Sequence, residues 1–249
     1  AAEVGVSHVC VLSTAMVYGA WVDNPVPLTE DADVRPNPDF PWAITRAAVE
    51  RAVLEWGSGR EAAVSILRPT AVVTADTLGR LAQVLHTARV GIAADGDPPV
   101  QYLHVDDLAA AVVAAIQTRF DGVANVAPDS WIPPDALADL EGPQARVRVP
   151  AWAARAVAAV RQRSGLAPIP PGIVPYTSHS WVVANDRIRA LGWEADYSNE
   201  EAWVVSHDPS PLEQLPARRR QELALGAAAA LAIGCAVGAV LVLRRLRRN

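Results

Sequence analysis

Two stretches near the start of the chain gather the side chains whose types and spacing can do chemistry: Ser13-Thr14-Ala15-Met16-Val17-Tyr18-Gly19 and Trp42-Ala43-Ile44-Thr45-Arg46-Ala47-Ala48-Val49-Glu50. The hydroxyls of Ser13 and Thr14 can hydrogen-bond an oxygen of a bound molecule, although a Thr at a strand end also serves by bonding local backbone. Tyr18 carries a phenol of ordinary pKa about 10. It is a candidate to pass a proton, and the simpler reading is that it lines a pocket. Trp42 donates an N–H but has no usable acid or base form; it either stacks on a ring or plugs a pocket. Arg46 keeps a permanent charge, suited to hydroxyls or an anion, and Glu50, four residues on, offers it a partner.

These residues need a strand, a turn and a helix to hold them. Val4 to Leu12 reads as a buried strand, and residues 19 to 41, rich in Pro, Asp and Asn, read as a loop over the mouth of a site. Trp42 to Trp56 reads as a helix stopped by Gly57 and Gly59, with Ile44, Ala47, Ala48 and Arg51 on one side and Glu50 and Glu55 turned to water. Ala62 to Leu67 is a short strand ending in Arg68-Pro69, Leu78 to Ala88 a helix, and Pro99 to Val105 a strand. Asp106 and Asp107 then open a helix over Leu108 to Gln117. His104, Asp106 and Asp107 suggest catalysis, yet capping and core hydrogen bonding explain them. Gly122 to Ala127 is a further strand, Ala151 to Arg163 a basic amphipathic helix, Pro168 to Pro175 a proline-rich connection, and Asn185 to Gly192 a short helix.

The turn and the helix together resemble the catalytic half of an extended short-chain dehydrogenase of the NAD-dependent epimerase/dehydratase family. In that family a strand ends in a Ser/Thr-rich Val-Tyr-Gly turn, and a later helix carries Tyr-x-x-Ser/Thr-Lys-x-x-x-Glu. Here the tyrosine position is Trp42 and the lysine position is Arg46. The Arg68-Pro69 pair, Tyr102 to Ala109, Gly122 to Ala127 and the Asn185 to Trp193 run ending in Leu-Gly-Trp also match.

The resemblance implies an α/β fold: the C-terminal part of a Rossmann-like doubly wound parallel sheet over residues 1–130, and a small α/β substrate lobe over 131–205. It implies NAD or NADP as cofactor and a nucleotide-sugar, sterol-like or related hydroxyl or carbonyl substrate. By the same resemblance Thr14 polarises the substrate oxygen, Tyr18 touches substrate, and Ser13, Arg46 and Pro69 lie against the cofactor. The Tyr and Lys positions would transfer the proton, a contribution of roughly 10² to 10⁴ in rate. With 22 Arg and no Lys in the whole chain, no neighbouring lysine replaces the missing one. Impaired catalysis is therefore the expectation, with a non-catalytic ligand-binding or scaffold protein on the same fold as the alternative. No Gly-x-x-Gly-x-x-Gly follows a predicted strand. The chain thus reads as beginning inside the family's domain, and on its own it is expected not to hold the dinucleotide.

Composition narrows the partners. A net charge of −5 argues against a nucleic-acid partner, and five histidines scattered without ligand spacing give no reason to expect a metal. Two cysteines, Cys10 and Cys235, show no pairing logic, which suits a reducing compartment.

The net charge conceals an asymmetry. Arg218, Arg219 and Arg220 precede, and Arg244, Arg245, Arg247 and Arg248 follow, the uncharged run from Leu223 to Leu243. At 1.5 Å per residue this run is long enough for the roughly 30 Å of a bilayer core. It reads as a transmembrane helix after a linker over 206–222, which makes membrane lipid a partner; the flanking arginines, three before and four after, are nearly balanced, and it is the implied nicotinamide site that puts the globular part in the cytoplasm. The spacing of Gly234 and Gly238 offers a face for a second helix, and so for a homodimer.

Overall fold

The computed structural model describes residues 5–75, 79–89, 91–142, 146–165 and 170–207, together with Arg219. Ala1–His207 forms one compact unit and Asp208–Asn249 a second. The predicted span 223–243 lies outside the described residues. Among those that are described, no helix is long and apolar enough to cross a membrane.

The first unit is organised by a parallel sheet. Strand β1 (His8–Leu12) pairs with β2 (Ala63–Pro69), and β2 pairs with β6 (Gly122–Val126), giving the order β1-β2-β6. Every residue of β2, Ala-Val-Ser-Ile-Leu-Arg-Pro, is buried. That nearly continuous apolar run is what a central parallel strand requires. Because all three strands point the same way, their carboxyl ends share one edge, where Ser13, Thr70 and Ala127 emerge. Between β1 and β2 the chain crosses through a 3-10 turn (Ala15–Tyr18), the long loop and helix α1 (Pro41–Gly57).

Helix α1 starts with Pro41 at its first turn, where a missing N–H is no loss. A Cβ at Gly57 would stand 2.5 Å from Val64 Cγ2, so only glycine lets the helix end lie against β2. The helix faces differ from the sequence expectation. Ala43, Ala47 and Glu50 are the buried residues, while Ile44, Ala48 and Arg51 are exposed. Of the four residues expected on one side only Ala47 is buried, and Glu50 turns inward with it because β2 contributes a cation, Arg68, to pair with it.

Two further parallel pairs complete the strands: β3 (Ala71–Val73) with β5 (Tyr102–His104), and β4 (Gly91–Ala94) with β7 (Arg146–Val149). Helices α2 (Arg80–Arg89), α3 (Val105–Gln117), α4 (Pro134–Glu141), α5 (Ala151–Arg163), α6 (Asp186–Arg189) and α7 (Asn199–Ser206) surround them. The capping reading at α3 holds. His104 caps the helix by accepting from the Asp106 N–H, and the Asp107 carboxylate accepts from the N–H groups of Asp196 and Tyr197. Trp193 donates its indole N–H to the Asp107 carbonyl at 3.0 Å and joins the core under α3. The proline-rich segment is more than a connection: Pro171–Thr177 is a 3-10 helix, all but its first residue buried, packed against α2 and α5.

Candidate active site

The turn after β1 is held from within. Thr14 has extended backbone and accepts from the Met16 N–H at 3.2 Å, capping the 3-10 turn. Ala15, Met16, Val17 and Tyr18 are fully buried. Gly19 closes the turn at φ 70°, where a Cβ would meet the Arg35 carbonyl at 2.5 Å. From the far side Tyr176 donates its hydroxyl to the Met16 carbonyl at 2.8 Å. Tyr18 is therefore not the only tyrosine at the turn. Tyr176 was concealed in sequence because it lies 160 residues away inside the proline-rich run.

Beneath the turn lies a buried polar network. Arg68 of β2 binds Glu50 of α1 by a fork, with Nη2 at 2.6 Å and Nε at 3.1 and 3.2 Å from its carboxylate; the two side chains are 5% and 4% exposed. The Nη1 group of Arg68 donates to the Tyr18 hydroxyl at 2.7 Å, and that hydroxyl donates to Asn125 Oδ1 at 2.8 Å. Asn125 in turn donates its backbone N–H to Glu30 at 2.8 Å. Five segments are thus tied together: α1, β2, the turn, the long loop and β6.

The electrostatics follow from burial. Desolvation pushes the Tyr18 phenol above its ordinary value, against the opposing charge and hydrogen bond of Arg68. Desolvation also pushes Tyr176 well up. Burial pulls the Arg68 guanidinium down, but its bonds and charge contacts with Glu50 and Tyr18 more than compensate and raise it. Tyr18 thus holds its proton at neutral pH and has both sides of its hydroxyl engaged, so its environment is that of a strut. Glu50, expected to face water and to pair with Arg46, pairs with Arg68 instead.

Trp42 and Arg46 stand at the rim above this network. Trp42 is 39% exposed, so it does not plug a buried pocket; its ring lies 5.9 Å from that of Phe40. The Arg46 guanidinium sits 5.7 Å over the Trp42 ring and donates from Nη1 to the Leu12 carbonyl at 3.1 Å. Both side chains therefore face the carboxyl end of β1. Ser13 follows Leu12 directly, and its buried hydroxyl, like that of Thr70 just past Pro69, finds no hydrogen-bond partner among the described residues. A buried unpaired hydroxyl costs about 1–3 kcal/mol, so these two atoms have something to gain from a ligand. Thr70 was not singled out in sequence, because one Thr after a strand carries no distinguishing signal. The crevice outside the carboxyl ends of a parallel sheet is where open α/β folds bind ligands.

The sequence profile of the NAD dependent epimerase/dehydratase family matches residues 1–127. The chain belongs to the NAD-dependent epimerase/dehydratase family. Among solved structures it is similar to the Thermus thermophilus UDP-glucose 4-epimerase complex with NAD, at 21% identity and a TM-score of 0.56, covering 82% of this chain and 63% of that one. It is similar to MoeE5 in complex with UDP-glucuronic acid and NAD, at 21% identity and a TM-score of 0.57 over 82% and 64% of the two chains. RMD from Pseudomonas aeruginosa complexed with NADPH matches at 17% identity and a TM-score of 0.56, over 82% and 66%. These likenesses establish the α/β Rossmann-like fold. The chain spans less than two thirds of the length of each of these structures. No curated protein matches it.

Proposed function

We propose that this family member works at a membrane as an NAD(P)-dependent, epimerase/dehydratase-like protein for a nucleotide-sugar or related ligand, with its proton-transfer chemistry impaired. The observation that carries the reading is the rim of α1. Where the family has Tyr and Lys, Trp42 and Arg46 stack on each other at the carboxyl end of β1. The indole can donate a hydrogen bond but cannot take up or release a proton. Arginine stays protonated under all working conditions.

The residues present fit the ribose end of a dinucleotide. Ser13 and Thr70 supply buried hydroxyls in want of partners, Arg46 supplies a cationic fork, and Pro69 shapes the strand end between them. A bound nicotinamide supplies the acceptor or donor of a hydride. The protein must move the accompanying proton, and neither rim side chain can do so. Structural neighbours bound to UDP-sugars support the substrate class. The uncharged run 223–243 supports the membrane anchor, and a nicotinamide site's need of the cytosol supports a cytoplasmic globular part.

A second reading, a ligand-binding protein with no turnover at all, is favoured by the Arg46 to Leu12 hydrogen bond, which commits part of the cation to the protein's own backbone. Titration of the full chain with NAD(H), NADP(H) and UDP-sugars, followed by a turnover assay on each pair, separates the two. Trace turnover that rises in the Trp42→Tyr/Arg46→Lys variant supports the impaired enzyme. Binding without turnover in either form supports the second reading, and efficient turnover by the natural chain overturns both.

A further inference from the structure

Helix α5 carries a surface that neither the fold nor the candidate site uses. Its sequence, Ala-Trp-Ala-Ala-Arg-Ala-Val-Ala-Ala-Val-Arg-Gln-Arg, holds three arginines and no acid, in a chain whose net charge is −5. Ala154 and Ala158 bury one side against the 3-10 helix Pro171–Thr177 and β4. Trp152, Ala156 and Val160 recur every four residues and so form one row on the helix. Trp152 is 75% exposed and Val160 62% exposed. The next step of four is Ser164; Arg163, eleven residues past Trp152, returns to the Trp152 side, while Arg161 leaves the helix on the far side, near buried Ala154. Arg155 reaches Asp39 at 3.5 Å, while among the described residues neither Arg161 nor Arg163 has an ion pair. The strand leading into the helix adds Val147, 62% exposed, before Arg148, whose charge is paired with Asp97.

We propose that α5 is an interfacial helix that lies along an anionic phospholipid surface, with Trp152 and Val160 at the level of the headgroups and acyl-chain boundary and Arg163 on the phosphates, joined by the long side chain of Arg161 from the helix end. At 13 residues it is about 20 Å long, too short to span a bilayer. A large exposed indole and a basic C-terminal end, Arg161 and Arg163, are the composition of a helix that lies in the interface plane. Charge complementarity selects the partner: an acidic protein presents a locally basic and apolar row, which a bilayer of neutral lipid would not hold. The proposal rests on the membrane reading above, since a chain anchored through residues 223–243 has such a surface within reach at all times.

The test uses the full chain with Cys10→Ser, Cys235→Ser and Val160→Cys, spin-labelled at residue 160 and mixed with vesicles of phosphatidylcholine alone or with phosphatidylglycerol. A control label at Glu200→Cys marks an exposed site elsewhere. The expected result is that, in anionic vesicles only, the label at 160 becomes accessible to oxygen and shielded from a water-soluble nickel chelate, while the label at 200 stays in water. Adding Arg161→Glu with Arg163→Glu, or raising the salt, should return the label at 160 to water. Flotation with neutral vesicles at high salt reads the anchor separately. A chain that floats while its label at 160 stays wet in both lipids overturns the docking and leaves the anchor standing. A chain that does not float but inserts the label in anionic vesicles loses the anchor and keeps the docking. Shielding of the label that needs no lipid and grows with protein concentration means contact with a second copy, and overturns the proposal.

Discussion

The underside of the β1 turn and the rim above it lie on the same two elements yet carry charge in opposite ways. Below, Arg68 and Glu50 are buried, forked together and capped by Tyr18 and Asn125. Above, Arg46 is open to solvent on one side, held by one carbonyl and the half-exposed face of Trp42. Both regions hold α1 against the sheet, but only the lower one is closed to water. The contrast teaches that position and chemistry are separable here. The buried pair fixes where the helix stands regardless of what its rim residues, Trp42 and Arg46, can do.

The largest break in this comparison should come from the buried pair. Glu50→Ala or Arg68→Ala strands one buried charge and should destabilise the chain by about 3–5 kcal/mol, measured by urea unfolding. A Glu50→Leu/Arg68→Met double variant should cost less than either single change, because no lone charge remains. A double variant as damaging as the sum would mean the two side chains act independently. Next come the phenols. Tyr176→Phe leaves the Met16 carbonyl without its donor and should cost about 1–3 kcal/mol.

Alkaline titration sharpens the same point. Burial raises the phenol pKa of Tyr18 and Tyr176 in the folded chain, so the folded state prefers the protonated form. Their contribution is complete below the unfolded value of about 10 and is lost as pH rises beyond it. Both should ionise only as the chain unfolds, which tyrosinate absorbance followed beside circular dichroism would show. The smallest effects belong to the upper region. Thr14→Ala removes a cap and should cost about 1 kcal/mol. Arg46→Ala should cost under about 1 kcal/mol, as a solvent-facing cation over a ring does.

Much of the frame was legible in the residues. The buried central strand β2 announced itself as a short apolar run, whereas β1, read as buried, is half-buried with Leu12 exposed because among the described residues it pairs with a strand on one side only; α5 has the bounds its sequence suggested, Ala151–Arg163. The family followed from the order of several weak motifs. What was not legible depends on partners distant in sequence. Glu50 reads as a water-facing carboxylate on any helical wheel until Arg68, 18 residues on in a strand, is placed beside it. The three-residue and four-residue strands β3, β4 and β7 are too short for a periodic signal, since each is defined by the strand it pairs with. Tyr176 lies in a proline-rich run whose prolines shape a buried 3-10 helix instead of an exposed connection.

The central claim is that the rim of α1 has lost its proton relay. Its most direct test is formation of reduced nicotinamide by the natural full chain with saturating NAD or NADP and a panel of UDP-sugars, beside the Trp42→Tyr/Arg46→Lys variant. The account predicts little or no reduction by the natural chain and a gain of roughly 10² to 10⁴ in the variant wherever cofactor binds. Rapid reduction by the natural chain, left unchanged in the variant, would contradict it.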